Sequence, residues 1–180
     1  MAENLHRINN KQTNREEETA DRYLRGLGAN WDDFVGKRTL DIGSSEGDFA
    51  DAARRRGVDV TSFDIRRNDW NRAHRSVASR EGVKFVQGSA EALPFADESF
   101  DVLVSHAGPF GTGDEGVFRE AHRILKTGGV LRLGPMPIFP DKEPEGLPDD
   151  FKERMAAVRE RSRHYVEDLG KRIGFSEVRV

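Results

Sequence analysis

Short apolar runs alternate with amphipathic stretches along most of the chain. The apolar runs predict buried strands at Thr39–Ile42, Val58–Asp64, Val83–Val86, Phe100–Ser105 and Val130–Leu133. The intervening stretches predict helices over about 49–56, 68–80 and 116–125, with Lys126–Gly129 as the turn into the last of these strands. Because strands that alternate with helices at this spacing form βαβ units, the pattern predicts an α/β fold. Its sheet is expected to be doubly wound and mostly parallel, with helices on both faces.

The segment before the first strand is expected to lie outside the alternating strands and helices of the main domain. Residues 1–37 are predicted to form a polar N-terminal end and then a capping helix that Gly26 and Gly28 end. The apolar positions of this helix are Ala20, Tyr23, Leu24 and Leu27. Residues 38–180 are predicted to form the main domain.

A long connection follows Leu133. Five of the seven prolines lie between residues 134 and 150, and a connection of that length is usually functional or disordered. A helix is predicted from Asp150 to Ile173, and residues 175–180 alternate as a last strand. The apolar positions of the helix, expected in the core, are Phe151, Met155, Val158, Tyr165, Leu169 and Ile173.

Composition narrows the class of protein. The chain has 180 residues, no cysteine and a formal net charge of -3, which suits one domain without disulfides, thiolate metal sites or a cysteine nucleophile. A net charge this small removes the bulk electrostatic argument for a dedicated nucleic-acid-binding protein. No apolar run approaches the roughly 20 residues that span a bilayer, and the N-terminus lacks the apolar stretch of a signal peptide. A cytoplasmic protein without a membrane partner is therefore expected.

The loop Asp41–Gly47 after the first strand is the first candidate site, because ligands of open parallel sheets bind at the carboxyl ends of the strands. It lacks a dinucleotide fingerprint, since Ser45 and Asp48 stand where glycines are needed, and the chain has no phosphate-binding loop. Asp41 would repel a pyrophosphate and suits a cationic group. Asp64, at the end of the second strand, can accept both hydroxyls of a ribose. S-adenosylmethionine combines such a nucleoside with a positive tail.

Four segments of the chain form an ordered set of motifs: TLDIGSSEGDFA, VTSFDI, GSAEALPFADESFDVLVS and REAHRILKTGGVLRL. In this order they resemble the class I S-adenosylmethionine-dependent methyltransferases, especially the ubiquinone/menaquinone-biosynthesis type. The resemblance implies a Rossmann-like methyltransferase fold and in-line methyl transfer to a small or medium-sized acceptor. Family members commonly end in a further antiparallel strand, which this chain is expected to lack or shorten.

The resemblance also implies which residues bind the cofactor. The set is Asp41, Gly43, Ser45, Gly47, Asp64, Ile65, Ser89, Ala90 and Ser105. The residues of the first loop would shape the methionine side of the pocket, Asp64 would hold the ribose, and Ile65 would pack on the adenine. Ser89 and Ala90 would face the adenine edge, and Ser105 would lie under the cofactor. Ser45 stands where the family usually has a glycine, and Ser89 where it usually has an acid.

His106 is the candidate catalytic residue. It follows the strand that ends at Ser105, where the acceptor is expected, and a histidine can remove a proton near neutral pH. The acceptor would enter over residues 106–110 and 136–139. No metal site is predicted, because the histidines show no ligand spacing.

Two other functions remain open from the residues. The serines at positions 45 and 89 favour a methyltransferase-like binding domain that is non-catalytic or depends on a partner. The arginines in the middle of the chain favour an RNA methyltransferase; they are Arg54, Arg55, Arg56, Arg66, Arg67, Arg72, Arg75 and Arg80. An exposed edge of the sheet would also allow a homodimer.

Overall fold

The computed structural model describes residues 17–45, 47–65, 82–106, 108–112, 114–134 and 149–180. Several expectations fall outside these residues. They concern the polar end up to residue 16, the helix over 68–80 with its arginines, and most of the proline-rich connection.

The observed elements follow the predicted order. They are helix α1 (17–26), β1 (Arg38–Ile42), α2 (Asp48–Arg55), β2 (Asp59–Asp64), β3 (Lys84–Gln87), β4 (Phe100–Ser105), α3 (Glu115–Ile124), β5 (Leu125–Leu133), α4 (Asp149–Ile173) and β6 (Val178–Arg179). Short 3-10 turns span Trp31–Phe34 and Pro109–Thr112. Helix α1 ends at residue 26, next to Gly28 with φ of 57°, as the two glycines predict.

The strands form one six-stranded sheet in the order β3-β2-β1-β4-β5-β6. Every described pairing in it is parallel, which confirms the doubly wound α/β fold. The strand order reverses between β1 and β4, so the switch point of the sheet lies beside the end of β1. The last strand, β6, pairs directly with β5, and no antiparallel strand occurs among the described residues.

Alternation along the strands divides the core between the two faces of the sheet. Leu40 and Ile42 of β1, with Leu103 of β4, pack on the face that α3 and α4 cover. Val102 and Val104 pack on the other face, with Leu24 and Leu27 of the N-terminal segment and Phe49 of α2. Because successive side chains of a strand point to opposite faces, Asp41 belongs to the face that α1 and α2 cover.

The predicted turn at Lys126–Gly129 lies inside β5 as an irregularity of the strand. Phe100 pairs with Leu125 and Val102 with Val130, so a two-residue step along β4 matches a five-residue step along β5. Gly128 has φ of 78°, which allows the strand to bulge at this point. Strand β5 therefore begins earlier than the apolar run alone indicates.

In the part of helix α4 whose side chains the structure describes, the buried stripe differs from the predicted one; the predicted core positions Phe151, Met155 and Val158 lie outside that part. Val166 and Leu169 are buried, and Ile173 packs against the same cluster. Tyr165 is instead 52% exposed, so its predicted core position is wrong. It lies one residue before Val166, about 100° from it around the helix axis, and therefore at the margin of the buried stripe.

Candidate functional site

The loop after β1 is a tight turn that rests on β2. The backbone amides of Gly43 and Ser44 both donate to the carbonyl of Phe63, at 2.8 and 3.1 Å. Gly43 and Gly47 have φ of 80° and 71°, and Ser45 has φ of 49°. Gly47 is also the N-cap of α2. The loop thus needs left-handed backbone at three positions, two of which are glycines.

Asp64 contacts this loop from the end of β2. Its Oδ2 accepts a hydrogen bond of 2.9 Å from the backbone amide of Ser45. The side chain remains partly exposed. A carboxylate has about four acceptor positions, and the amide of Ser45 occupies one of those on Asp64.

Asp41 is fully buried beneath the N-terminal helix. Its Oδ1 accepts a hydrogen bond from the hydroxyl of Tyr23 in α1, and its Oδ2 has no hydrogen-bond partner in the described part of the chain. Burial raises the pKa of Asp41 to about 7; the Tyr23 hydrogen bond opposes the increase, and the charge of Asp64 adds to it. Burial, together with Asp41, raises the pKa of Tyr23 well above its usual value, so this hydroxyl keeps its proton and donates it.

Ser105 closes the switch point from the β4 side. Its hydroxyl donates a hydrogen bond of 2.7 Å to the carbonyl of Ile42, and the residue is buried. A Cβ on Gly108 would lie 2.1 Å from this hydroxyl, and one on Gly43 would lie 3.1 Å from the Cα of Gly108. The space between the ends of β1 and β4 is therefore too narrow for side chains at either glycine.

Ser89 and Ala90 follow β3 on the same edge of the sheet. The amide of Gly88 donates to the carbonyl of Asp64 at 3.0 Å, which joins this loop to the end of β2. The hydroxyl of Ser89 accepts from the amide of Glu91 at 3.3 Å, and Ala90 packs against the core. Ile65 is 64% exposed, so its side chain is accessible to a ligand beside Asp64.

His106 comes directly after Ser105. Its ring stacks on Tyr23 with centroids 4.8 Å apart, and its Nε2 is shielded from solvent. A Cβ on Gly134 would lie 2.7 Å from its Cδ2. The predicted position at the end of β4 is observed. Proton removal from an acceptor would require the acceptor to reach His106 beside Tyr23.

The arginines at the end of α2 are engaged within the protein. Arg54 and Arg55 form salt bridges with Asp51, and Arg55 and Arg56 form salt bridges with Glu17. Two carboxylates therefore offset most of the charge of these three arginines, which are the described part of the proposed basic stripe.

In the described part of the chain, neither a metal centre nor a second pocket adds chemistry to the site. Among the described residues, no cluster of three or more histidine, aspartate or glutamate side chains could hold a metal ion. A cavity of about 370 Å³ lies at the opposite edge of the sheet, between the β5 bulge and Phe175. Two charged residues of its lining already have partners, since Lys126 pairs with Asp101 and Arg123 with Asp97.

Tyr23 is the site residue that the sequence pattern did not assign. It was predicted only as an apolar position of the N-terminal helix. The available signal was its hydroxyl, because a tyrosine in an otherwise aliphatic stripe needs a hydrogen-bond partner when it is buried. The pattern does not identify that partner.

Comparison with known proteins places the chain in a family. The family model described as a methyltransferase domain matches residues 40–133, just over half of the chain. The chain therefore belongs to the methyltransferase domain family, and the predicted resemblance to class I S-adenosylmethionine-dependent methyltransferases is confirmed.

Two curated relatives show the range of the family. A ubiquinone/menaquinone biosynthesis C-methyltransferase of Xanthomonas axonopodis is 34% identical over 105 residues, 54% of this chain and 42% of that protein. A sarcosine/dimethylglycine N-methyltransferase of Aphanothece halophytica is 33% identical over 123 residues, 66% of this chain and 43% of that protein. The chain thus spans less than half the length of either relative.

A solved structure extends the similarity beyond the family match. The structure of a SAM-dependent methyltransferase from Thermotoga maritima superposes with a TM-score of 0.55 and 27% sequence identity. The match covers 87% of this chain and 72% of the other. It supports the Rossmann-like arrangement of the sheet and its helices.

Proposed function

We propose that the protein binds S-adenosylmethionine at the carboxyl ends of β1 and β2 and transfers its methyl group to a small or medium-sized acceptor. The main support is Asp41, which is fully buried at the switch point and whose Oδ2 has no partner among the described residues. A buried carboxylate is costly unless it is paired, so a cationic group of a ligand would stabilise it. Membership of the methyltransferase family supports the same cofactor.

The residues present suit this cofactor. Asp64 would accept the ribose hydroxyls while Ser45 fixes one of its oxygens. Because Gly43 and Gly47 have no side chains, a ligand can approach the backbone of this loop closely. Ile65 offers an exposed apolar surface for the adenine, and Ser89 and Ala90 line the neighbouring loop. The hydroxyl of Ser105 already donates to the carbonyl of Ile42. Ser105 would therefore support the cofactor indirectly, by holding the end of β1.

The chain's contribution to catalysis would be alignment and desolvation. When bound, S-adenosylmethionine supplies a methyl group that is already activated on a sulfonium, so positioning provides much of the rate. His106 would accept a proton from an acceptor that ionises as it is methylated. The N-terminal segment 1–37 would cap the site of the domain formed by residues 38–180.

Binding experiments test the cofactor assignment. Isothermal titration calorimetry with S-adenosylmethionine and with S-adenosylhomocysteine is expected to show binding to the wild-type protein. Asp64→Asn is expected to weaken binding roughly tenfold to a hundredfold, through the loss of charge-assisted hydrogen bonds to the ribose. The control is Asp59→Asn at the opposite end of β2, where the aspartate pairs with Lys84 on the surface. Absence of wild-type binding, or equal affinities for Asp64→Asn and Asp59→Asn, would contradict the proposal.

Transfer of a labelled methyl group identifies the acceptor class. The relatives named above direct the first screen to quinone-ring carbons and to small amines such as sarcosine and dimethylglycine. Turnover with any acceptor supports the enzyme over a binding domain that has lost catalysis. His106→Asn is expected to lower kcat without changing cofactor affinity if the acceptor must lose a proton.

Location and assembly are further parts of the proposal. Among the described helices, none combines the length and the apolar character needed to cross a bilayer. The absence of cysteine is compatible with the reducing cytoplasm, which we propose as the location.

A homodimer through the sheet edge at β6 is testable by analytical ultracentrifugation, which would show a dimer mass.

A further inference from the structure

Tyr23 connects three parts of the candidate site. Its ring stacks on Phe49 of α2, with centroids 4.6 Å apart, and on His106 after β4, at 4.8 Å. Its hydroxyl donates to Oδ1 of Asp41 in β1. One side chain of α1 therefore contacts the cofactor side and the acceptor side of the site at once.

The position of Tyr23 is fixed from both ends of its helix. At the start of α1, Glu17 accepts hydrogen bonds from Arg55 at 3.1 Å and from Arg56 at 2.5 Å. Beyond the end of α1, the buried Arg132 of β5 donates to the carbonyl of Gly28 at 3.1 Å and to Asp33 at 2.9 Å. These bonds to α2 and to the sheet hold α1 over β1.

The hydrogen bond from Tyr23 determines which oxygen of Asp41 remains available. With Oδ1 bound to the tyrosine, Oδ2 is the buried acceptor that lacks a partner in the described part of the chain. The bond also favours the charged carboxylate, because a donor stabilises the ionised form. Burial and the charge of Asp64 act in the opposite direction.

We propose that Tyr23 is a positioning residue of the cofactor site, whose hydroxyl orients Asp41 and favours its carboxylate form so that Oδ2 can receive the cationic methionine end of the ligand. This inference rests on the proposed function. It makes α1 an integral part of the binding site. The opposite possibility, that Tyr23 obstructs the site, predicts tighter binding when the hydroxyl is removed.

The decisive variant is Tyr23→Phe, which keeps the two ring contacts and removes the hydroxyl, with its hydrogen bonds to Asp41 and to the backbone of His106. Tyr165→Phe is the matched control, because Tyr165 is the other of the two tyrosines and is exposed on α4. Loss of one hydrogen bond to the carboxylate is expected to raise the pKa of Asp41 by about one unit. If only ionised Asp41 binds, Tyr23→Phe weakens binding roughly fivefold at pH 7 and by less than about twofold at pH 9.

The pH series separates positioning from a merely structural role. The titratable groups that face Asp41 are Tyr23 from α1, Asp64 from the end of β2 and His106, which stacks on Tyr23, from beyond β4. Because histidine side chains titrate in the same pH range, the series is repeated in the His106→Asn background, where the same upward shift is expected. A structural defect in Tyr23→Phe would weaken binding equally at every pH and would overturn the proposal.

A second measurement needs no substitution. With ring-labelled tyrosine, the Cζ resonance of Tyr23 is expected to follow the titration of Asp41 with a midpoint near pH 7, while that of Tyr165 does not. A Tyr23 resonance that is insensitive to this titration would overturn the inference even if Tyr23→Phe failed to fold. Unchanged or tighter binding by Tyr23→Phe, beside normal wild-type binding, would refute this inference alone. Absence of wild-type binding would refute the proposed function and this inference together.

Discussion

The backbone amide of Ser45 donates a hydrogen bond of 2.9 Å to Oδ2 of Asp64, which joins the loop after β1 to the end of β2. Ser45 makes this bond with φ of 49°, a left-handed conformation that is unfavourable for residues with a Cβ. The serine therefore retains the loop shape that a glycine would adopt with less strain.

Substitutions at position 45 test this backbone requirement. Ser45→Gly is expected to leave the free energy of unfolding unchanged or to raise it by up to about 1 kcal/mol, because glycine adopts positive φ without steric cost. Ser45→Val is expected to lower it by about 1–2 kcal/mol, since β-branched residues are rare in this conformation. Urea denaturation measures both. A valine variant as stable as the glycine variant would contradict the left-handed loop.

Gly108 tests the close packing of the β1 and β4 ends. A Cβ here would lie 2.1 Å from Oγ of Ser105 and 2.7 Å from the carbonyl of Ile42. Gly108→Ala is therefore expected to lower the free energy of unfolding by about 1–3 kcal/mol in thermal or urea unfolding.

Two comparisons identify the cause of that loss. Gly128→Ala introduces only backbone strain of about 1 kcal/mol, because no atom lies within 4 Å of the added Cβ. Adding Ser105→Ala to Gly108→Ala removes the clashing hydroxyl, so the two substitutions are expected to couple by more than about 0.5 kcal/mol. Strictly additive effects would show that the two residues do not press on each other.

Local patterns were sufficient to predict the strands and the place of Asp64. Apolar period, glycine breaks and the switch-point rule each depend on a few neighbouring residues, and they locate β1 to β4 within one residue. They also place Asp64 beside the first loop, as observed. The fold and the edge of the sheet that is proposed to bind the cofactor were therefore accessible from the sequence.

The remaining features depend on packing between distant elements. The Tyr23 hydrogen bond spans 18 residues and requires α1 to cross β1 at one particular height, which helical spacing does not determine. The bulge in β5 depends on how β4 pairs with it, although the turn residues themselves were recognised. The exposure of Tyr165 depends on which stripe of α4 meets the sheet.

Arg123 is expected to stabilise the loop that carries Ser89 and Ala90. Its guanidinium donates to the carbonyls of Leu93 and Phe95 at 2.9 and 2.8 Å, and it also binds Asp97 and Glu120. Arg123→Ala leaves these carbonyls without their donor and is expected to lower the free energy of unfolding by about 2–3 kcal/mol.

Arg119→Ala is the matched control on the same helix. Within the described residues Arg119 pairs with Glu115 on the surface, so its loss is expected to change the free energy of unfolding by less than about 0.5 kcal/mol. Both variants are compared by urea unfolding and by titration with S-adenosylhomocysteine, whose affinity is expected to fall only for Arg123→Ala. Equal changes in the free energy of unfolding for the two variants would show that the hydrogen bonds and salt bridges of Arg123 do not stabilise this loop.

Asp41→Asn is expected to make the protein more stable at alkaline pH. Burial raises the pKa of Asp41 from 3.8 to about 7, so between these values the folded protein keeps a proton that the unfolded chain has lost. Wild-type stability should therefore fall as the pH rises through this window, whereas asparagine cannot ionise. Relative to wild type, Asp41→Asn is expected to gain about 2–4 kcal/mol between pH 4 and pH 8, measured by urea unfolding without ligand. Asp101→Asn is expected to show no such gain, because a hydrogen bond to Lys126 lowers the pKa of Asp101, and this group is ionised in both the folded and the unfolded state through most of the range. A flat difference between wild type and Asp41→Asn across this range would mean that Asp41 is not buried as described.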